Sequence, residues 1–132
     1  MTFSSQAIPY RSTGFFSKLV LDHISQAETL QPFYSFAATI AGIEKAIEER
    51  QQYPTDRKAL VEVLQHQYAG CTLTVRQQFN IEQLNNDNCF TITTAHQPNI
   101  FTGPLYFIYK ILHTVKLAEA CKQHLPVNNF VT

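Results

Sequence analysis

A β-branched run ending in a histidine, then a carboxamide, a proline and a second carboxamide, makes up the part of this sequence best equipped for chemistry. The stretch is TITTAHQPNIFTGPLYFIYK, Thr91 to Lys110. His96 can donate to a phosphate oxygen or move a proton near neutral pH. Gln97 and Asn99 offer amides, Thr93, Thr94 and Thr102 offer hydroxyls, and a helix opening at Pro104 would aim free N–H groups and the positive end of its dipole into the same space. An anion, or a carboxylate awaiting activation, would be stabilised there. His96 is therefore the candidate catalytic residue. Thr93, Thr94, Gln97, Asn99, Thr102, Gly103, Tyr106 and Lys110 form the candidate substrate- or nucleotide-binding set. Plainer roles compete: Gln97 and Asn99 could simply brace the Pro98 turn, Gly103 and Pro104 could simply start the helix, and a helix-surface lysine is ordinarily solvated.

These groups need a strand before them and a helix after. Turn residues NNDN precede CFTITT, which predicts a strand from Cys89 to about Thr94, without polar alternation and so covered on both faces as in a parallel sheet. A long helix is expected from Pro104, capped by Thr102 or Gly103, with an apolar stripe of Leu105, Ile108, Ile111 or Leu112, Val115 and Ala118, ending near His124. VNNFVT then begins another strand. Strand, helix, strand outlines a βαβ crossover, and in open α/β sheets ligands sit beyond the carboxyl ends of the strands.

Upstream, residues 1–14 read as an extended lead-in, and a helical pattern from Phe16 is interrupted at Pro32. A second helix is expected over about Phe36 to Gln51, weakened slightly by Gly42. The next helix should be capped by Thr55 or Asp56, bury Leu60, Val63, Leu64 and Tyr68, and end on a left-handed Gly70. CTLTVRQQFNIEQLNN reads as one more helix. The expected organisation is a helical region over 1–88, then the first strand–helix–strand of a Rossmann-like α/β core over 89–132. Such a unit needs further strands to make a sheet, so the chain reads as a piece of a larger enzyme.

Ten Lys plus Arg balance ten Asp plus Glu across 132 residues, so the formal charge is zero, and nothing advertises a nucleic-acid or membrane surface. No run of about 18 apolar residues could span a bilayer. A cytoplasmic location is expected, and the three widely spaced cysteines, Cys71, Cys89 and Cys121, fit reduced thiols. No metal site is expected: Cys121 and His124 form one isolated pair without a second at zinc-site spacing.

TTAH resembles the T-x-G-H or H-x-G-H signature of nucleotidylyltransferases and class I aminoacyl-tRNA synthetases, with Ala95 in place of the glycine. Over a longer span, TTAHQPNIFTGPLYFIYKILHTVKLA resembles a block of the cysteine-adding enzymes of bacillithiol biosynthesis: Thr-Gly-His-Gln or Thr-Gly-Gln-Gln, then x-x-Leu-Phe-x-Gly-Pro-Leu-Tyr-x-x-Tyr-Lys. The matching positions are Thr94, His96, Gln97, Phe101, Gly103, Pro104, Leu105, Tyr106, Tyr109 and Lys110. LQPFYSF, Leu30 to Phe36, is similar to the Leu-x-x-Phe-Tyr segment near the amino end of the same family. The resemblance implies a Rossmann-like core related to HxGH nucleotidylyltransferases, a coiled coil late in a much longer chain, and often a homodimer. It implies that cysteine is joined through its carboxylate to the amine of glucosaminyl malate, with ATP as the activating co-substrate by analogy with the superfamily. Family members with Gln at the position of His96 make a binding role for this residue a safer expectation than general acid catalysis. The alternatives are another ATP-dependent adenylylating enzyme and a non-catalytic helical interaction domain, which would bury the aromatic segment and keep His96 from any cavity.

Overall fold

The computed structural model describes residues 2–101 and 103–132. Two compact units divide the chain, Met1–Ala46 and Ile47–Thr132.

In the first unit the expected lead-in contains one helical turn, α1 (Tyr10–Thr13), because Pro9 stands at its N-cap and Gly14 closes it with φ 72°. Helix α2 (Lys18–Ile24) is capped by Ser17, which accepts from the Val20 N–H, and a 3₁₀ turn over Glu28–Phe33 carries Pro32 inside it. Helix α3 (Ile40–Gln51), whose residues after Ala46 are counted in the second unit, starts later than the periodicity indicates, where Thr39 Oγ1 accepts the Gly42 N–H at 3.1 Å. Gly42 is needed there: a Cβ would stand 1.9 Å from the Ala37 carbonyl oxygen.

The second unit holds the sheet. Helix α4 (Arg57–Gln67) is capped by Asp56, whose Oδ1 accepts from the Ala59 N–H at 2.9 Å. It ends without a left-handed glycine, correcting the expectation for Gly70. The Ala69 N–H bonds the His66 carbonyl and the Cys71 N–H bonds the Tyr68 carbonyl, so a right-handed turn closes the helix. Helix α5 (Val75–Gln83) opens with a reciprocal capping box between Thr74 and Gln77.

Strand β1 (Cys89–Thr91) pairs in parallel with β2 (Asn129–Val131), Cys89 opposite Asn129 and Thr91 opposite Val131. β1 is shorter than predicted because its one partner among the described residues offers three residues, and the last bond runs from the Ile92 N–H to the Val131 carbonyl. Helix α6 (Leu105–His124) joins the two, completing the predicted strand–helix–strand order.

The pleat separates the two faces of this pair. On one, Cys89 and Val131 meet Val61 of α4 and Leu84 just after α5, with Leu64 and Ile81 packed alongside. The buried face of α4 thus centres on Val61 and Leu64. Leu60, Val63 and Tyr68 are exposed, because the cluster beneath them selects a stripe turned from the predicted one. The other face carries Phe90 and Phe130, ring centroids 6.3 Å apart, and α6 packs on β2 through its buried Ala118 and Cys121. The rest of the predicted α6 stripe, Leu105 through Val115, stays exposed. A twenty-residue helix runs about 30 Å, whereas three-residue strands reach only about 10 Å, so the amino-terminal half of α6 has no sheet to lie against.

Candidate functional site

The loop from Ile92 to Pro104 leaves the carboxyl end of β1 and turns into α6. Among its described residues two are left-handed, Phe101 at φ 54° and Gly103 at φ 67°. A residue preceding proline is pushed out of the right-handed helical region, and glycine takes the left-handed alternative without a Cβ penalty. Pro104 is consequently extended, at φ −71° and ψ 154°, and acts as the N-cap; the helix proper begins at Leu105, one residue later than predicted. Among the described residues no side chain caps this end of α6, while Lys122 and His124 occupy its last turn.

His96 lies at the centre of the loop and is half-buried. Its Nδ1 is 2.6 Å from Asn99 Nδ2 and 2.8 Å from the Gln97 carbonyl oxygen, and its Nε2 is 2.8 Å from Tyr106 Oη. Asn99 Nδ2 also donates to the Gln97 carbonyl at 2.8 Å. The imidazole packs against two rings of the first turn of α6, Tyr106 and Phe107, each with its centroid 5.1 Å away. One turn further along, Lys110 Nζ donates to the Ala95 carbonyl at 2.6 Å, fixing the backbone beside the histidine. An ammonium has three hydrogens, so two remain for a ligand.

Six of the predicted residues are thereby brought together: His96, Gln97, Asn99, Gly103, Tyr106 and Lys110. Gln97 takes part through its backbone carbonyl. Thr93 and Thr94 face elsewhere, lining a cavity of about 330 Å³ with Ile92, Ile111, Thr114, Val115 and Thr132. Thr102 lies outside the described residues. Phe107 and the Ala95 carbonyl were not singled out in the sequence. The signal for Phe107 was its place beside Tyr106 in the first helical turn. Phe101, Tyr106 and Tyr109 are exposed in this chain.

A larger cavity, about 490 Å³, lies at the amino end of β1 and includes Arg50, Tyr53, Arg57, Asp87 and Phe90 in its lining. Its arginines already serve the fold. Arg50 bonds the Tyr53 carbonyl and Thr55 Oγ1, and Arg57 bonds the Leu84 and Asp87 carbonyls and pairs with the Asp87 carboxylate. Size alone does not make this the site; strand polarity favours the carboxyl end. Among the described residues, no three of His, Cys, Asp and Glu gather as a metal would require, and no helix is long and apolar enough to cross a membrane.

A parallel strand pair joined by a crossover helix, with its polar cluster in the loop after the first strand, defines a Rossmann-like α/β unit. Residues 3–132 match the family described as bacillithiol biosynthesis BshC, N-terminal Rossmann-like domain, and the chain belongs to this family. A protein of Cytophaga hutchinsonii named "Putative cysteine ligase BshC" is 45% identical over 129 residues, 98% of this chain and 25% of that protein. A relative of the same name from Flavobacterium psychrophilum is 39% identical over 130 residues, covering 96% and 24% of the two chains. Another, from Geobacillus thermodenitrificans, is 30% identical over 112 residues, covering 84% and 21%. The chain thus spans about a quarter of the length of the first two relatives. No solved structure matches.

Proposed function

We propose that this chain is the amino-terminal, Rossmann-like part of a ligase that forms an amide between the carboxylate of cysteine and the amine of glucosaminyl malate, with ATP as co-substrate. The family membership supports a cysteine ligase of bacillithiol biosynthesis. The observation that carries the placement of its site is the His96 cluster at the carboxyl end of β1, beside the start of α6.

A free carboxylate is a poor acylating agent, and activation by ATP, through an adenylate by superfamily analogy, supplies it with a leaving group. The residues here suit the anionic partners of that reaction. Lys110 keeps two ammonium hydrogens beyond the one given to Ala95, the first amides of α6 present positive partial charge, and His96 offers an imidazole hydrogen. Their shared task is to bind and orient a phosphate or carboxylate while the amine approaches. An HxGH-type role for His96 is consistent with this, although Ala95 puts a methyl group where related signatures have only hydrogen.

The remaining sheet strands, the acceptor pocket and a homodimer through a later coiled coil belong to the full-length protein in this proposal. The isolated 132-residue chain should be inactive, and turnover by it alone would refute that part. The site is tested by following thiol product from cysteine, glucosaminyl malate and ATP with the full-length protein. His96→Ala and Lys110→Met should each lower kcat/KM by about ten-fold or more while circular dichroism stays unchanged. Wild-type kcat/KM in both variants would remove the site from this loop.

A further inference from the structure

The ladder between β1 and β2 stops at Thr91 and Val131, although three residues of strand-forming type follow on the β1 side, Ile92, Thr93 and Thr94. One further bond exists: the Ile92 N–H donates to the Val131 carbonyl at 2.9 Å. Among the described residues, neither the Ile92 carbonyl nor the Thr94 N–H has a backbone partner. A cavity lies on each face of this stretch. One, of about 250 Å³, is lined by Thr91 and Thr93 together with Leu64 of α4 and Ile81 of α5. The other, of about 330 Å³, is lined by Ile92 and Thr94 together with Ile111 and Val115 of α6, two apolar residues left exposed. Thr93 and Thr132 border both cavities, so the space between them is where a longer β2 would run. The chain to build it exists in the family. The matched domain is amino-terminal, and this chain covers only 25% of one relative and 24% of another.

We propose that the residues following Thr132 in the full-length protein continue β2 in its present register and lengthen β1 through Thr94. Thr91 lies opposite Val131, which sets Thr93 opposite the first residue after Thr132 and Thr94 opposite the second. In a parallel pair each strand bonds its neighbour through every second residue, and Asn88 and Ile92 already bond β2. The N–H of the first residue after Thr132 then donates to the Ile92 carbonyl, and its own carbonyl accepts from the Thr94 N–H. Its side chain falls on the Val131 face, in the cavity beside α4 and α5; the next falls on the Phe130 face, beneath α6. Both should be apolar, because helices cover both faces. Thr93 and Thr94 are on this account strand residues rather than ligand contacts, and the site loop opens at Ala95, with His96 directly beyond the sheet. The proposal rests on the chain being the first part of a longer protein and is independent of the ligation chemistry.

The competing occupants of this face are a segment from elsewhere in the full-length protein and a second copy of it. Hydrogen exchange in the full-length protein, read at single amides by mass spectrometry with electron-transfer fragmentation, separates them. The amides of Thr94 and of the first residue after Thr132 should exchange about 100-fold more slowly, or better, than in an unfolded peptide. Thr94→Pro deletes one of the two bonds while leaving the other donor in place. With circular dichroism showing a folded variant, exchange at the first residue after Thr132 should then accelerate by about ten-fold or more. Unprotected exchange at either amide in the wild type would overturn the proposal. Both unprotected would mean that the chain turns away after Thr132; protection of Thr94 alone would mean that another segment or a second copy pairs with β1. Unchanged exchange after Thr132 in a folded Thr94→Pro would also overturn it, because the two residues would then not be partners. Should Thr94→Pro fail to fold, the wild-type pattern decides by itself. Turnover does not enter this test, so full activity in His96→Ala would remove the ligase site from the loop and leave the strand register standing.

Discussion

Gly103 carries two constraints that a side chain would violate together, a left-handed backbone and a space already filled by Asn99. Holding a non-glycine residue in that region costs about 1 kcal/mol or more before any steric term. Gly103→Ala should therefore destabilise the protein by about 1–3 kcal/mol in urea unfolding; an unchanged midpoint would show that the loop relaxes freely. Lys110 presents the opposite case. Its contact is with one exposed carbonyl, which water can satisfy, so Lys110→Met should shift stability by no more than about 0.5 kcal/mol. A loss of ligation rate in that variant would then report on the site rather than on folding. The identities of these residues were legible in the sequence, but their partners were not: Lys110 is fifteen positions from Ala95, and only the path of the loop brings them within 2.6 Å.

At the scale of elements, α5 is held at its start by Thr74 and Gln77, each accepting from the other's backbone N–H at 3.3 and 2.9 Å. Thr74→Ala should cost about 1 kcal/mol, read as a lower unfolding midpoint, while Thr74→Ser should restore most of it. Equal loss in both variants would mean that the threonine methyl, rather than the cap, is responsible. Helix α4 shows how far local signals reach. Its cap was readable because Asp56 lies three residues before the amide it serves, whereas its buried face was turned toward Val61 by Leu84, Cys89 and Val131, all distant in sequence. Helix α6 repeats the lesson: its apolar stripe was evident, but of that stripe only Ala118 is buried, with Cys121 beside it outside the stripe.

On the scale of the whole molecule, three thiols experience different surroundings. Cys71 is exposed, whereas Cys89 and Cys121 are buried. Burial pushes both buried thiols above their ordinary range, with the Arg57 charge partly opposing it at Cys89. Maleimide should thus label one thiol in the folded chain and three after unfolding; prompt native labelling of all three would contradict the packing. The folded chain keeps these protons longer than the unfolded one. Their contribution to stability is accordingly full below about pH 8.5 and fades as pH rises through the raised values. Urea midpoints between pH 7 and 10 should fall more steeply for the wild type than for a Cys89→Ala, Cys121→Ala variant. Parallel slopes would mean that the buried thiols contribute nothing to the pH dependence.

The sequence by itself determined the strand–helix–strand order, a cap at Thr55 or Asp56, the polar cluster after the first strand and, through TTAHQPNIFTGPLYFIYK, the family resemblance. These are local features, set by residues within a few positions of one another. Tertiary structure alone decided which face of α4 is buried, that Thr93 and Thr94 turn away from His96, and that Asn99 and Tyr106 close on its two ring nitrogens. Those outcomes depend on a loop reversal and on strand pairing across some forty residues, and side-chain periodicity carries no information about either.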